Sequence, residues 1–324
     1  ELLDRVEAAL EDDYQAKLQA RIARITAQRQ AAMREEGAAL GARLARIAGD
    51  IDREPATLPE AASPALVECW TKRREFCRTS RADLEARLGR LQSAPRSSDL
   101  GAARRLLVSL EKAHASAGSF LKYAAANARL PYVVWIVDPI SDRRVLPGEF
   151  PVFARLGTDL CVTACRGEYE PASFAVYAPK GVERLVAAPA DARCGDAVIP
   201  ASAVDVRLVK VWWQAGTGIG DVRHPTLAPE LLLKDPDFVR VDDEAKRNVL
   251  KNPEAPRDAK QLQPVSIPAG STQQFWITVH VPQQAKPGTY RGTIRLAAAD
   301  QPPLELPLTI DVPPFQLDPP VLQY

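Results

Sequence analysis

Two adjacent tryptophans, Trp212 and Trp213, are the residues of this 324-residue sequence whose type and position fit ligand binding best. Indole faces stack on sugar rings, and the glycine-containing segment 216–220 that follows lets a ligand approach closely. One hypothesis is therefore a carbohydrate platform. Its contact residues are Trp212, Trp213, Gln214 and His224. The other hypothesis, which we favour, is that one tryptophan fills the core and the other packs on polypeptide outside this chain.

Two other patterns resemble phosphate-binding or catalytic motifs but predict ordinary loops. Segment 216–220, Gly-Thr-Gly-Ile-Gly, has the glycines of a phosphate-binding loop, yet such a loop must open a helix and a proline-containing segment follows instead. Asp243-Glu244 is an adjacent acidic pair. Acid catalysis needs a carboxyl whose pKa is raised by an enclosed setting, and the charge-balanced stretch 241–247 predicts a solvated surface turn.

Nucleophile, metal and cofactor motifs are missing from the sequence. The histidines are scattered, and none has a serine or cysteine nucleophile motif beside it. The cysteines form no Cys-x-x-Cys pair, and the two local pairs would lie roughly 12 to 13 Å apart along a helix or a strand, too far for a disulfide. We therefore predict no catalytic residue, no metal and no cofactor in this chain. The residues considered are His114, His224, His280, Cys69, Cys77, Cys161, Cys165 and Cys194.

The overall composition excludes two classes of partner. The net charge is +1 with 26% charged residues, so no positive excess attracts a phosphate backbone, and we predict no nucleic-acid partner. Apolar stretches are short and interrupted by charge, far from the ~20 residues that cross a bilayer. We therefore predict no membrane span.

Proline marks a change of structure at Leu130-Pro131. Only four of the 28 prolines precede this point, and proline is excluded from helix interiors but collects in turns and at strand edges. Before it, apolar residues recur at three- and four-residue steps in three stretches, which predicts three amphipathic helices. Ser63 can cap the second helix, and the third begins near Ser98. We predict a helical bundle or coiled-coil-like segment over residues 1–130.

The first helix is predicted to be about 50 residues or roughly 75 Å long, whereas the other two reach only about 45 Å. It therefore overhangs its partners unless Gly37 or Gly41 bends it. A free face on the overhang suits a spacer or a dimerisation arm, and a homodimer through this helix is one hypothesis. The other is an irregular bundle packed on the next domain, which we weight higher because the apolar period is close to 3.6 and is not a strict heptad.

After Pro131, β-branched and aromatic segments alternate with proline- or glycine-containing turns, which predicts antiparallel strands. The main predicted strands are 132–137, 172–177, 204–208, 275–281, 289–296 and 304–312. In 275–281 the apolar residues share one face and Trp276, Thr278 and His280 share the other, so the register is well specified. The fold class is therefore α+β with segregated halves, a long-helix bundle followed by an antiparallel immunoglobulin-like β-sandwich over residues 131–316.

Several sequence phrases in this second half carry a family resemblance. They are Cys-Arg-Gly-Glu-Tyr-Glu-Pro-Ala-Ser-Phe at 165–174, Ile-Pro-Ala-Ser-Ala-Val-Asp-Val-Arg at 199–207, Leu-Gln-Pro at 262–264, Gln-Phe-Trp-Ile-Thr-Val-His-Val-Pro at 274–282 and Ala-Lys-Pro-Gly-Thr-Tyr-Arg-Gly-Thr-Ile at 285–294. Together they resemble the N-terminal sandwich region of glycoside hydrolase family 123-like proteins. The last phrase is the least specific, because this turn and strand start recurs in unrelated sandwiches.

The resemblance implies that catalysis lies elsewhere. Members of that family are expected to hydrolyse glycosides in a (β/α)8 barrel after the sandwich, where an adjacent Asp-Glu pair works with the acetamido group of the substrate. Residues 317–324 are predicted to link to that barrel, so no catalytic residue carries over to this chain. The expected partners are the barrel and a polysaccharide or glycan. Secretion or a periplasmic location is favoured by the resemblance only.

Three functions stay open on the sequence alone. The leading hypothesis is a non-catalytic accessory module that packs on a glycosidase barrel. The second is a carbohydrate-binding module that uses Trp212 and Trp213, and the third is a scaffold that self-associates through the first helix.

Overall fold

Three helices open the computed structural model, which describes residues 2–141, 144–149, 156–216, 224–299 and 301–317. They are α1 (Leu2–Arg53), α2 (Pro64–Ser93) and α3 (Ser97–Ala126). The three predicted helices are therefore confirmed, with α3 beginning one residue before Ser98. The Ser63 hydroxyl accepts a hydrogen bond from the Leu66 N–H at 3.3 Å, so Ser63 caps α2 as predicted.

The first helix runs unbroken through Gly37 and Gly41. Gly37 is buried, and a Cβ at that position would lie 3.3 Å from the side chain of Leu91 in α2. The absent side chain thus lets α1 and α2 approach closely, which offsets the low helix propensity of glycine. Farther toward its start α1 leaves its partners, because residues 11–29 are exposed at every position.

An ion pair is buried where α2 and α3 meet the end of α1. Arg73 Nη1 lies 2.5 Å from Glu54 Oε2, and the two side chains are 2% and 8% exposed. Arg73 Nη2 donates to Glu54 Oε1 at 3.0 Å and to the Ala113 carbonyl at 2.7 Å. His114 lies beside the same carboxylate, with Nδ1 3.6 Å from Glu54 Oε1. Buried charges are tolerated when paired and hydrogen-bonded, so this cluster fixes how the three helices meet.

The chain divides into two compact units, Glu1–Ala56 with Lys72–Ala117 and Thr57–Thr71 with Gly118–Tyr324. The second unit thus holds the β-strands together with the beginning of α2 and the end of α3. Within it, Ser63 Oγ donates to the Leu130 carbonyl at 2.6 Å and Tyr123 Oη accepts from the Val134 N–H at 3.2 Å. The domain limit at residue 130 stays a prediction.

Two β-sheets that contact each other make up most of the second unit. The strands of the described residues are β1 (Val133–Val137), β2 (Leu160–Thr163), β3 (Tyr169–Ala178), β4 (Val182–Pro189), β5 (Ala192–Cys194), β6 (Ala197–Ile199), β7 (Val204–Gln214), β8 (Thr226–Leu233), β9 (Val239–Asp242), β10 (Arg247–Leu250), β11 (Val265–Ile267), β12 (Ser271–His280), β13 (Gly288–Ala297) and β14 (Leu304–Val312). One sheet has the order β1-β3-β12-β7-β8, and the other has the order β11-β4-β13-β14-β2 with β5 paired to β13 and β6 to β5. β9 and β10 form a separate hairpin. The predicted α+β class with segregated halves is confirmed.

Alternating side chains fix the register of these sheets. The buried face of β12 consists of Phe275, Ile277 and Val279. The opposite face carries Trp276, Thr278 and His280, all half-buried. β14 shows the same alternation, with every second side chain buried. This burial pattern confirms the two predicted faces of β12. A shift of one residue in the pairing would expose the apolar side chains, so the register is well specified.

One strand pair departs from the predicted antiparallel pattern. β2 runs parallel to β14, with Leu160 level with Leu308 and Thr163 level with Asp311. The other strand pairs of the described residues are antiparallel. Parallel neighbours need a long connection, and β2 and β14 are separated by almost the whole sandwich sequence.

The five cysteines are free thiols; the sequence spacing excluded a disulfide only within the two local pairs. Cys69, Cys77 and Cys165 are buried. Burial raises the pKa of the Cys77 thiol, so this residue behaves as a small apolar side chain and not as a nucleophile.

Candidate functional site

The two tryptophans lie near the end of β7, where that strand leaves the body of its sheet. β12 pairs only with the first half of β7, whereas β8 pairs with it as far as Gln214. Residues 209–214 and 226–232 therefore form a two-stranded ribbon, the tryptophan ribbon. Successive side chains of a strand point to opposite faces, so Trp212 and Gln214 share one face and Trp213 lies on the other. All three residues are half-buried.

Glu230 binds the two side chains on the first face of the tryptophan ribbon, the face that carries Trp212 and Gln214. The register of β7 and β8 shifts between Lys210 and Val211, which leaves Glu230 as the extra residue of a β-bulge. Its Oε2 accepts a hydrogen bond from Trp212 Nε1 at 3.1 Å and another from Gln214 Nε2. The bulge thus directs a carboxylate to two of the residues that the sequence points to.

The β9–β10 hairpin covers the other face through Trp213. Trp213 Nε1 donates to Asp243 Oδ1 at 3.1 Å. Asn248 makes two hydrogen bonds with the Trp213 backbone, accepting from its N–H at 3.0 Å and donating to its carbonyl at 2.7 Å. Lys246 Nζ lies 5.7 Å from the centre of the indole ring, within the range of a cation–π interaction. Trp213 therefore fastens the hairpin to the ribbon.

The Asp243-Glu244 pair lies in the exposed four-residue turn between β9 and β10, as predicted. At the start of this turn, hydrogen bonds from the Ala245 N–H and the Arg247 guanidinium hold the pKa of Asp242 below its usual range. An exposed turn stabilised by an ionised carboxylate is the opposite of the enclosed setting that a general acid needs.

His224 is exposed and lies two residues before β8. Residues 217–223, which include most of the glycine segment considered as a phosphate loop, are outside the described residues. The structure therefore brings Trp212 and Gln214 together on Glu230, and it places Trp213 on the opposite face of the ribbon.

A cavity of about 820 Å³ lies between β7, β11, β12 and the segment before residue 150. Two of its polar side chains bind neighbouring backbone: Lys210 Nζ donates to the Pro236 carbonyl at 2.7 Å and Thr272 Oγ1 to the Glu149 carbonyl at 2.7 Å. Burial lowers the pKa of Lys210. Because these groups anchor the surrounding strands, and residues 150–155 are outside the described residues, we assign no ligand to the cavity.

An exposed aromatic pair lies on the outer face of the five-stranded sheet, opposite the buried set. Tyr169 is 66% exposed and stacks on His280, with the ring centres 4.2 Å apart. In the same depression, Asp205 contacts Arg207 Nε and Lys234 Nζ, each at 2.6 Å. Burial raises the pKa of Asp205, but the hydrogen bonds from the two bases outweigh it and the pKa is lowered. These five residues are the outer patch.

Within the described ranges, no group of three or more histidine, cysteine or acidic residues is arranged to hold a metal ion. Among the same residues, no helix is long and apolar enough to cross a bilayer. The carboxylates nearest the tryptophans, those of Glu230 and Asp243, each bind an indole N–H.

Part of the sandwich sequence matches a known family model. Residues 149–298, a little under half of the chain, match the family model described as the glycoside hydrolase 123 N-terminal domain. This region is similar to the N-terminal domain of glycoside hydrolase family 123. The matched range includes β2 to β13, so the tryptophan ribbon, the hairpin and the outer patch all lie within the domain. The resemblance to family 123-like proteins is thereby confirmed.

Solved structures give weaker likenesses. A family 123 glycoside hydrolase from Clostridium perfringens, studied for glycolipid glycan hydrolysis, is 15% identical over 59% of this chain and 28% of its own, with a TM-score of 0.41. AvmM, which catalyses macrocyclization in alchivemycin A biosynthesis, is 8% identical over 52% of this chain and 89% of its own, with a TM-score of 0.25. The N-terminal domain of PorA is 11% identical over 56% of this chain and 98% of its own, with a TM-score of 0.21. No curated protein matches the chain.

Sequence reasoning missed the partners of the tryptophans. Glu230 reaches Trp212 because of a β-bulge, and Asn248 reaches Trp213 because two distant segments meet. Neither contact has a local sequence signal. One feature of the sequence did predict part of the arrangement. Adjacent residues of a strand point to opposite faces, so Trp212 and Trp213 must lie on opposite faces if β7 includes both.

Proposed function

We propose that this chain is the non-catalytic accessory portion of a glycoside hydrolase. The glycoside hydrolase 123 N-terminal domain packs on, and helps to shape, a catalytic (β/α)8 barrel that lies on polypeptide outside this chain. The helices act as a spacer or brace. The observation that carries the proposal is the match of residues 149–298 to a domain described as N-terminal in a glycoside hydrolase family.

The outer patch is the surface that best suits contact with the barrel. Tyr169 exposes most of its ring on a sheet whose other face is core, and interfaces are enriched in tyrosine and arginine. Asp205 is already paired with Arg207 and Lys234. A neighbouring domain that covers these three charges therefore has one positive charge left to balance, which one of its own carboxylates can do, since an uncompensated buried charge would be costly.

The gene sequence beyond the codon for residue 324 provides the first test. We expect it to encode a barrel with an adjacent Asp-Glu pair. A stop codon at that point would contradict the accessory role.

The second test measures the affinity of this chain for the separately produced barrel by titration calorimetry. Replacing both Tyr169→Ala and His280→Ala is expected to weaken binding by about tenfold or more, since exposed aromatic anchors dominate interface energy. Val249→Ala, at a 37% exposed position in β10, is the matched control and is expected to leave the affinity unchanged. Equal affinity of the double variant and the unaltered chain would exclude the outer patch as the contact.

A second candidate function, direct contact with sugar, is supported by the first face of the tryptophan ribbon. Trp212 is half-buried and is not covered by the hairpin contacts that engage Trp213. Gln214 and Glu230 lie beside it and carry the amide and carboxylate groups that hydrogen-bond hydroxyls. An indole face with such neighbours is typical of sugar recognition. In this reading Trp212 and Gln214 contact the sugar, His224 borders them, and Trp213 supports the ribbon.

Calorimetric titration with a panel of oligosaccharides tests this second candidate. Binding should be lost with Trp212→Ala, because the stacking surface is removed. Trp213→Phe keeps an aromatic ring but removes the indole N–H, so it should leave sugar affinity within about twofold, a difference of ~0.4 kcal/mol. The absence of heat with every oligosaccharide, or an unchanged affinity in Trp212→Ala, would rule the sugar contact out.

A further inference from the structure

The first part of α1 carries an apolar stripe that no described residue covers. Every residue from 11 to 29 is exposed, and this stretch is the arm. Along one side of the arm, Tyr14, Leu18, Ile22 and Ile25 are 60%, 36%, 47% and 37% exposed. Steps of four, four and three residues place these four side chains within an arc of about 80°.

The arm lacks the packing that normally stabilises a helix. Helices in proteins are held mainly by burial of an apolar face, and the arm buries none of its residues. Two pairs within the arm, Gln15 with Glu11 at 2.8 Å and Lys17 with Asp13 at 2.7 Å, contribute little by comparison. A partner that covers the stripe would therefore stabilise the arm.

The charge along α1 changes sign just before Tyr14, the first residue of the stripe. Residues 1–13 contain six acidic residues and one basic residue, and residues 14–34 contain five basic residues and no acidic one. The net charges of the two stretches are −5 and +5. A second copy lying antiparallel sets the acidic stretch of each helix against the basic stretch of the other, whereas a parallel copy sets like charge against like.

We propose that the arms of two copies of this chain pair antiparallel through the apolar stripe. The two charged stretches are centred near residues 7 and 24, so the helices cross near residue 16. The four-residue spacing of the stripe continues back through Leu10 and Val6 in the sequence, so the stripe of each copy lies opposite this extension in the other. This alignment sets Glu7 opposite Arg24 and Glu11 near Arg21. The inference is independent of the accessory role proposed above, because it rests only on α1.

A notch at the end of the arm fits the same alignment. It measures about 670 Å³, and its apolar lining includes Met33, Pro95 and Leu100. Residues 26–33 of α1 border it, and the antiparallel pair brings the first turn of the second copy level with that segment. The sequence of this first turn begins Leu2-Leu3, so it can supply apolar groups to the notch.

Sedimentation equilibrium of the full chain tests the pairing. We expect a particle of twice 35.4 kDa. Leu18→Glu with Ile22→Glu should give a monomer, because two charges then lie in the stripe. Val108→Glu, at a 43% exposed position in α3, is the matched control and should stay dimeric. A monomer for the unaltered chain, or a dimer that persists in the double variant with an unchanged dissociation constant, would overturn the proposal.

Charge reversal tests the orientation, with circular dichroism verifying that each variant keeps its helix content. Glu7→Lys with Glu11→Lys, and separately Arg21→Glu with Arg24→Glu, should each raise the dimer dissociation constant by about tenfold or more. Combining all four changes should restore the affinity, because opposite charges again face each other. Failure of the combined variant to recover, or no effect of either single reversal, would exclude antiparallel pairing.

Discussion

The two compact units of this chain treat charge in opposite ways. The sandwich keeps its inner faces apolar, with Phe174 and Phe275 stacked at a ring separation of 5.0 Å, and among the described residues of its unit no charged side chain is buried. The helical unit instead buries a complete ion pair between Arg73 and Glu54. Alternation of apolar and polar residues thus specifies the sheets, whereas the helices are also positioned by ionic contacts, such as Arg73 with Glu54 and Asp99 with Arg90.

The largest expected effect comes from the sandwich core. Phe275→Ala removes a fully buried ring and should lower the free energy of unfolding of the second unit by about 4 kcal/mol. Denaturant unfolding followed by intrinsic tryptophan fluorescence measures the change. Thr278→Ala, on the other face of β12, is the control and should cost less than about 1 kcal/mol. Similar losses for the two variants would mean that the alternation of faces does not carry the stability.

Removing the buried arginine comes next. Arg73→Ala leaves the Glu54 carboxylate buried without its partner and should destabilise the helical unit by about 3 kcal/mol, measured by far-ultraviolet circular dichroism. The double variant Arg73→Met with Glu54→Leu should recover to within about 1 kcal/mol of the unaltered chain, because apolar side chains can fill the same space. A double variant as unstable as Arg73→Ala would show that the charges themselves are needed.

Alkaline pH should affect the second unit through Tyr132. Burial raises the pKa of Tyr132 to about 12, above the value of 10.0 for an unperturbed phenol. The folded form therefore favours the protonated phenol, and this contribution is complete below pH 10 and is lost as the pH rises toward 12. The loss should be about 2 kcal/mol, measured by denaturant unfolding across that range.

Tyr132→Phe is the matched variant for the alkaline effect. Among the described residues the Tyr132 hydroxyl is buried without a hydrogen-bond partner, so the variant should be as stable as the unaltered chain at neutral pH. Between pH 10 and 12 it should lose less stability than the unaltered chain. An identical alkaline profile for the two proteins would assign the effect to another group, such as Tyr123, whose pKa burial also raises.

The smallest effect expected is at the cap of α2. Ser63→Ala removes the acceptor for the Leu66 N–H and the donor to the Leu130 carbonyl, and it should cost about 1 kcal/mol of unfolding free energy. Thr79→Ala, within the same helix and exposed, is the control and should change stability by less than about 0.5 kcal/mol. Thermal unfolding with both variants in parallel measures the difference.

Much of the fold could be predicted from local patterns. The apolar periods of α1 to α3, the cap at Ser63 and the alternation in β12 each depend on neighbouring residues, and each is confirmed. The parallel pairing of β2 with β14 could not be predicted, because it joins segments far apart in the sequence. The buried Arg73–Glu54 pair had no local signal either, since its members lie on different segments of the chain.

The candidate site was less predictable than the fold. The types of Trp212, Trp213 and Gln214 suggested sugar contact, but the faces they occupy depend on how far β7 extends. The β-bulge at Glu230 and the hairpin contact of Asn248 are set by strand pairing. Pairing of distant strands determines which side chains meet, and residue type alone does not contain that information.

The accessory role is tested most directly by an assay of glycoside hydrolysis. The substrates are aryl glycosides with a 2-acetamido group, the class that the family resemblance implies. Two proteins are compared, this chain alone and the protein extended through the barrel that we expect to follow it. We expect release of the aryl group by the extended protein and none above the uncatalysed rate by this chain. Turnover by the purified chain alone would contradict it.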